Sequence, residues 1–275
     1  MLGIDNTITF KPDTHQYFDN KQIEYQSVTK ILKKLQVPFD REGRSLMMAR
    51  GIASSRGISV EQAQRELLAE WDGKRDSSID RGNSIHGALE TFLKKGIRNK
   101  DYDLAINFVA DLVRPFYRYY PETIVYDQAS LISGQSDLVV QRQKTENSVY
   151  DFYDYKTNES KGIQFDSISR KEEPWKHYNR MFLAPLDHLE DCNYNLYSLQ
   201  LSLYAYLAQI TYGIRIGRLG IIFINNEMKP NLFPVPYMKL EAAAVVNFMT
   251  TLKPLPQKIM ITQKSEVVTK DEDDW

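Results

Sequence analysis

Two carboxylates and a lysine carry the first chemical signal. Asp137 closes the run Gly134-Gln135-Ser136-Asp137, and Asp154-Tyr155-Lys156 begins seventeen residues after it. A strand period of two puts Asp154 and Lys156 on one face together with Phe152. If the preceding strand pairs with that segment, Asp137 sits beside them. Two ionised carboxylates a few ångströms apart repel, so the arrangement is costly unless a cation holds it. Oxygen donors of this kind suit Mg²⁺ or Mn²⁺, as one or two ions. Such an ion polarises a phosphoryl oxygen and lowers the pKa of a bound water. A lysine alongside orients or deprotonates the attacking water, or stabilises developing charge.

The spacing alone is weak. Acid-x-Lys recurs at Asp19/Lys21, Asp72/Lys74, Glu159/Lys161 and Glu227/Lys229, the last of these also after a strand-like run. Only Asp154 has an upstream hairpin strand with its own carboxylate. A solvated strand end with a surface ion pair explains the same residues equally well. Two other stretches bear on the choice. Arg81 to Glu90 (RGNSIHGALE) reads as helix, with Ile85, Leu89 and Phe92 as its core stripe. His86 and Glu90 are i,i+4 neighbours at the stripe's edge, so both can point at one place. A neutral imidazole is a good metal ligand, though a lone edge histidine also serves as a simple hydrogen-bonding group. The run NYNLYSLQLSLYAYLAQI is apolar around most of a helix and is expected to be buried. Gln200 and Tyr204, i,i+4 within it, must find partners there, in the backbone or in a site.

The elements that would position these groups can be traced along the chain. Residues 7–26 alternate between apolar and turn residues, as in a β-meander. Ser27 caps a short helix that stops by Pro38. Residues 44–95 predict helices, one opening at Ser59 and ending near Asp72-Gly73, the next running from about Asp80 to Gly96. A further helix is expected over 101–119, ending before Pro121. The period then changes from 3.6 to 2. ETIVYDQ, LISGQSDLVVQ and SVYDFYDYKT predict three antiparallel strands. Residues 158–192 are irregular and polar. A helix over 193–212, strands at 219–225 and 232–237, and a helix over 239–253 complete the pattern, before an acidic end, KDEDDW.

Composition bounds the reading. The chain has 275 residues, 42% hydrophobic and 26% charged, which is a globular balance. Its formal charge of −1 does not advertise a nucleic-acid surface, but such surfaces are local. One cysteine, Cys192, leaves no intrachain disulfide and no four-cysteine iron–sulfur cluster. The first residues lack a signal-peptide pattern and no apolar run approaches membrane length, so a soluble, cytoplasmic protein without a membrane partner is expected.

The order His, G-x-x-D, D-x-K, Q-x-x-x-Y resembles the PD-(D/E)XK nuclease superfamily in its RecB-like branch. His15-Gln16-Tyr17-Phe18, then Ser27-Val28-Thr29-Lys30-Ile31-Leu32, then Trp71 ahead of the Arg-Gly and His motif, are similar to bacteriophage exonucleases and the mitochondrial genome maintenance exonuclease group. The resemblance spans about residues 8–225. It implies a restriction-endonuclease-like core, a central mixed β-sheet flanked by helices, with an N-terminal β-meander and helical extension. It implies metal ligation by His86, Asp137, Asp154 and the Tyr155 carbonyl, with Lys156 positioning the water and Gln200 and Tyr204 on the following helix. Glu90 and Glu122 stand as accessory acids. Cluster-bearing relatives differ by their cysteines. The acids at the end of the chain are a charged tail rather than a dispersed exonuclease signature.

The expected organisation is an N-terminal extension over 1–75, a nuclease core over 76–258 and a C-terminal segment over 259–275. Between Val28 and Gly57 lie seven basic residues (Lys30, Lys33, Lys34, Arg41, Arg44, Arg50 and Arg56) and two acidic ones. That local excess suits phosphate contacts, with Arg81 as a further candidate, although a solvated helix face has the same composition. Tyr117, Tyr119, Tyr120, Tyr153 and Tyr155 are candidates for base stacking or for the core. The expected activity is a Mg²⁺- or Mn²⁺-dependent DNA exonuclease on single strands or ends in phage-type replication or recombination, in the host cytoplasm. A replication partner could bind the acidic tail. The alternatives are a non-catalytic binding protein on the same scaffold and a nuclease directed at RNA.

Overall fold

The alternating residues of the chain's middle pair into an antiparallel meander on which the rest is built. The computed structural model describes residues 7–145, 147–157 and 180–252. The acidic tail, Glu159/Lys161 and much of the stretch 158–192 lie outside the described residues. In chain order the elements are β1 (Ile8–Lys11), β2 (Gln16–Asp19), β3 (Glu24–Ser27), α1 (Val28–Lys34), α2 (Arg41–Arg56), α3 (Val60–Lys95), α4 (Asp103–Val113), β4 (Arg118–Asp127), β5 (Ile132–Gln141), β6 (Val149–Lys156), α5 (Asn193–Tyr212), β7 (Arg215–Ile224), β8 (Pro230–Val235) and α6 (Lys239–Thr251).

The strands form one mixed sheet in the order β1-β2-β3-β5-β6-β7-β8, with β4 on the other edge of β5. β4 pairs with β5 from Arg118↔Gln141 to Asp127↔Ile132, with one interruption at Glu122. The opposite edge of β5 must therefore be shared. β3 takes its start in parallel (Gln26↔Ile132, Ser27↔Ser133), and β6 takes its end antiparallel (Leu138↔Tyr153 to Gln141↔Tyr150). Between them, residues 134–137 of β5 line a fork. β6 leaves β5 after Tyr153 and continues alongside β7 as far as Lys156↔Phe223.

Helices cover both faces. Val139 and Phe152 pack with Ile31 and Leu32 of α1, Leu199 and Leu203 of α5 and Val245 of α6. Leu138, Val140, Tyr153 and Tyr155 pack with Ile85 and Leu89 of α3 and Ile106 and Val109 of α4. The result is the expected α/β architecture, a central mixed sheet between helical layers. α2 and the first half of α3 form a hairpin around a small cluster of their own, Ala49, Ala53 and Ala63.

Two expectations are corrected. No break occurs at Asp72-Gly73: α3 runs unbroken for 36 residues, across the boundary expected at 75/76. Gly73 costs about 1 kcal/mol in a helix interior. Ion pairs Glu70–Lys74 and Asp72–Arg75 span it, and its φ is not positive, so it does not cap. The next helix stops at Val113 rather than near 119: Arg114 is still helical, its N–H on the Ala110 carbonyl, but Pro115 has no N–H to continue the ladder. β4 then begins at Arg118 and runs through Pro121, which an edge strand accommodates. Ser27 caps α1 as expected, accepting from the Lys30 N–H. Among the described residues no helix is long and apolar enough to cross a membrane.

Candidate metal centre

The fork gathers the charged residues. Where β6 departs from β5, the Tyr155 N–H donates to Asp137 Oδ2 at 2.6 Å, so a side chain replaces the missing strand partner. Asp154 and Lys156 lie on the α5 side of β6 and form a buried ion pair. Gln200 of α5 ties the pair together. Its Oε1 accepts from Lys156 Nζ at 3.3 Å, and its Nε2 lies 3.5 Å from Asp154 Oδ1 and donates to the Tyr204 hydroxyl at 2.9 Å. The Lys156 ammonium also sits 4.8 Å from the centroid of the Tyr197 ring. Gly134 is required for this arrangement: a Cβ there would come within 2.4 Å of the Tyr204 ring.

The second half of α3 supplies His86 from the other side. Its Nδ1 is 3.5 Å from Asp137 Oδ1, and its Nε2 is 3.2 Å from the Tyr155 carbonyl oxygen. Glu122 enters from β4. It lies opposite Asp137 at a position where the β4–β5 pairing is interrupted, with a left-handed φ of 52°. His86, Glu122 and Asp137 each present a ligand atom such that all three lie within 4.8 Å of one another. One imidazole and two carboxylates at this spacing fit a Mg²⁺ or Mn²⁺ ion. Asp154 stands next to this trio, its carboxylate engaged by Lys156 and Gln200.

The electrostatics reflect crowding of negative charge in a buried place. Burial, then Asp137, raises the Glu122 carboxyl to about 8. Burial lifts Asp154 to about 6, against the pull of Lys156. Burial opposes the charged form of Asp137 too, but His86, Lys156 and the Tyr155 N–H outweigh it and hold the group below the usual carboxylate range. Burial works against protonated His86; Asp137, by charge and hydrogen bond, and Asp154 overcome it and raise the imidazole to about 9. Burial pulls Lys156 down, and Asp154 and Asp137 more than restore it, so the ammonium persists above its ordinary range.

The remaining candidates lie at the edge of this cluster or away from it. Glu90 lines the groove beside His86 and Glu122 and pairs with Lys94 at 2.6 Å. Arg81, a candidate for DNA, instead donates to the carbonyls of Thr157, Ile224 and Asn225, stapling α3 to the ends of β6 and β7. Arg41 pairs with Asp72 at 2.8 Å and joins α2 to α3. Lys30, Lys33 and Lys34 are exposed on α1, and Arg44 is half-buried on α2. Tyr153 and Tyr155 are core residues, 4% and 1% exposed, whereas Tyr117 and Tyr119 are exposed. The competing pair Glu227/Lys229 is a surface ion pair in the β7–β8 turn. The cavity around the carboxylates measures about 470 Å³ and includes Phe10, His15, Tyr17 and Thr29. The residue patterns gave these no site role, although His15-Gln16-Tyr17 and Ser27-Val28-Thr29 stood among the motifs.

No protein-family profile matches the chain, and no curated protein matches it. Among solved structures it is similar to SSO0001, with a TM-score of 0.32 and 14% identity over 82% of this chain and 86% of that one. It is also similar to a protein from Eubacterium rectale named "putative exonuclease", with a TM-score of 0.35 and 12% identity over 91% of each chain.

Proposed function

We propose that this chain is a metal-dependent nuclease that hydrolyses phosphodiester bonds at the β5/β6 fork. One observation carries the reading: His86, Glu122 and Asp137 converge within 4.8 Å beside the buried Asp154–Lys156 pair. His86, Glu122 and Asp137 would hold the cation, with Asp154 next to them. Bound there, a Mg²⁺ or Mn²⁺ ion would supply Lewis acidity to a phosphoryl oxygen and a more acidic water. Lys156 keeps its proton at neutral pH, so its part is to orient the attacking water and offset developing charge rather than to abstract a proton. Asp154 and Gln200 fix the ammonium, and Tyr204 fixes Gln200. The Tyr155 N–H holds one oxygen of Asp137 and leaves the other toward His86.

The substrate we infer is DNA with a single strand or an end, cleaved as an exonuclease in a phage-type replication or recombination setting. The N-terminal motifs and the exposed lysines of α1 support this. A non-catalytic binding protein has no use for a largely enclosed ammonium placed by Asp154 and Gln200 next to the acid cluster. Digestion of 5′-labelled, 3′-labelled and circular DNA, and of the matching RNA, with Mg²⁺ or Mn²⁺ tests the reading. Cleavage of labelled linear DNA that spares the circle is expected. No cation-dependent cleavage of any substrate contradicts the nuclease reading, and a preference for RNA or for circles contradicts the finer one.

A further inference from the structure

The cavity is mixed in character. Its lining includes the acid cluster with Lys156 and, from the N-terminal hairpin, the rings of Phe10, His15 and Tyr17. Phe10 and Tyr17 are cross-strand partners on β1 and β2, with ring centroids 4.8 Å apart. His15 closes the turn between them. Its N–H donates to the Pro12 carbonyl at 3.2 Å, and its φ of 50° turns the chain out of the extended conformation. The imidazole consequently meets the Phe10 ring edge-on, at 5.1 Å and 90°. The three rings form a graded series. Tyr17 is buried in the hairpin's own core with Ile8 and Tyr25, Phe10 is half-buried, and His15 is exposed. Packing accounts for Tyr17. It does not account for an exposed imidazole set against Phe10 in the lining of a charged cavity.

We propose that this hairpin wall is a nucleobase subsite, in which Phe10 and His15 hold one unpaired base while its phosphate lies over the acid cluster. The proposal rests on the nuclease reading and adds what that reading leaves open, the part of the substrate recognised besides its phosphate. Charged groups and flat rings lining one cavity of about 470 Å³ match a nucleotide, charged at one end and flat and aromatic at the other. Partial desolvation of the ring where it meets the hairpin, and the neighbouring Lys30, both lower the His15 pKa, so the ring meets a base as a neutral aromatic surface. Every base has a π-face, so the subsite selects for an unpaired base without selecting its identity. That gives a physical reason for a preference for single strands or frayed ends.

The test uses short oligodeoxythymidylates carrying 2-aminopurine at each position in turn, and the same strands with an abasic residue there, in Ca²⁺. Wild-type protein is expected to quench 2-aminopurine at one position. His15→Ala and Phe10→Leu should each remove the quench and weaken binding of that strand about tenfold, the scale of one base–aromatic stack. Binding of the abasic strand should be equal for wild type and variants. His15→Ala removes an exposed side chain, so an unchanged melting temperature separates lost stacking from a damaged fold. Equal weakening for base-bearing and abasic strands, or none for either, overturns the subsite. Hydrolysis of the same strands in Mn²⁺ is read separately. Base-dependent binding without hydrolysis contradicts the nuclease reading and leaves the subsite standing. Hydrolysis indifferent to the base removes the subsite and leaves the nuclease.

Discussion

Glu122 and Asp137 face one another across β4 and β5 at the one register position that the ladder between Arg118 and Asp127 skips. Like charges directly opposite destabilise a strand pair. Glu122 adds a left-handed backbone, which costs roughly 1–3 kcal/mol for a residue other than glycine. The fold offsets part of this with His86, 3.5 Å from Asp137, and with protonation of Glu122, whose carboxyl is raised to about 8. The remainder is the electrostatic demand that a divalent cation would meet.

The two acids should therefore respond differently to neutralisation. Glu122→Gln removes a charge the apo protein already resists, so its melting temperature should hold or rise. Asp137→Asn removes the acceptor of the Tyr155 N–H and the partner of His86, so its melting temperature should fall. Both should weaken Mn²⁺ binding by at least the roughly 10–100-fold that loss of an outer-shell partner costs. Calorimetric titration alongside thermal melts checks this, and equal destabilisation of the apo protein by both variants contradicts it.

Proton release should accompany metal binding. His86 and Glu122 have folded pKa values of about 9 and about 8, above their ordinary 6.5 and 4.5. The folded apo protein thus binds more protons than the unfolded chain across that window. The contribution of His86 to stability is fully present below its unfolded pKa and is lost as pH rises through about 9; that of Glu122 declines over its own, lower range. A cation at these ligands displaces both protons, so Mn²⁺ affinity should climb from pH 6 to 9. Titrations at pH 7 in buffers of different ionisation enthalpy should give different heats. Identical heats count against these ligands.

How far these features were legible depended on range. Asp154 and Lys156 follow from a period of two, and Asp137 from a hairpin register, all local patterns. Glu122 was visible only as an acid before a strand. Its place depends on β4 running through Pro121 and on a left-handed φ that no residue pattern announces for glutamate. The aromatic wall was out of reach because the short parallel pairing of β3 with β5 carries the hairpin to the fork. Gly73 reads as a stop, yet ion pairs on both sides carry α3 through it and deliver His86 on one long helix.

Gly134→Ala tests the packing beneath the site. The added Cβ would lie 2.4 Å from the Tyr204 ring and 3.1 Å from Val28. Overpacking of this kind costs about 1–3 kcal/mol. Denaturant unfolding should show that loss, and the double variant with Tyr204→Leu should lose less than the sum of the two single variants. Strict additivity would mean that the ring does not confine Gly134.

The exposed lysines of α1 should act through phosphates alone. Replacing Lys30, Lys33 and Lys34 with alanine should weaken DNA binding about equally for all sequences and flatten the salt dependence by up to about 0.7 per contact on single strands. An unchanged affinity and slope would make them a solvated helix face.

Single-turnover cleavage of end-labelled DNA in Mn²⁺ by Lys156→Ala, with Lys229→Ala beside it, tests the central claim most directly. Lys156 is partly buried against Asp154 and Gln200, whereas Lys229 is a surface partner of Glu227. The account predicts at least about a hundredfold loss for Lys156→Ala, with DNA and Mn²⁺ still bound, and none for Lys229→Ala. Cleavage by Lys156→Ala at the wild-type rate would contradict it.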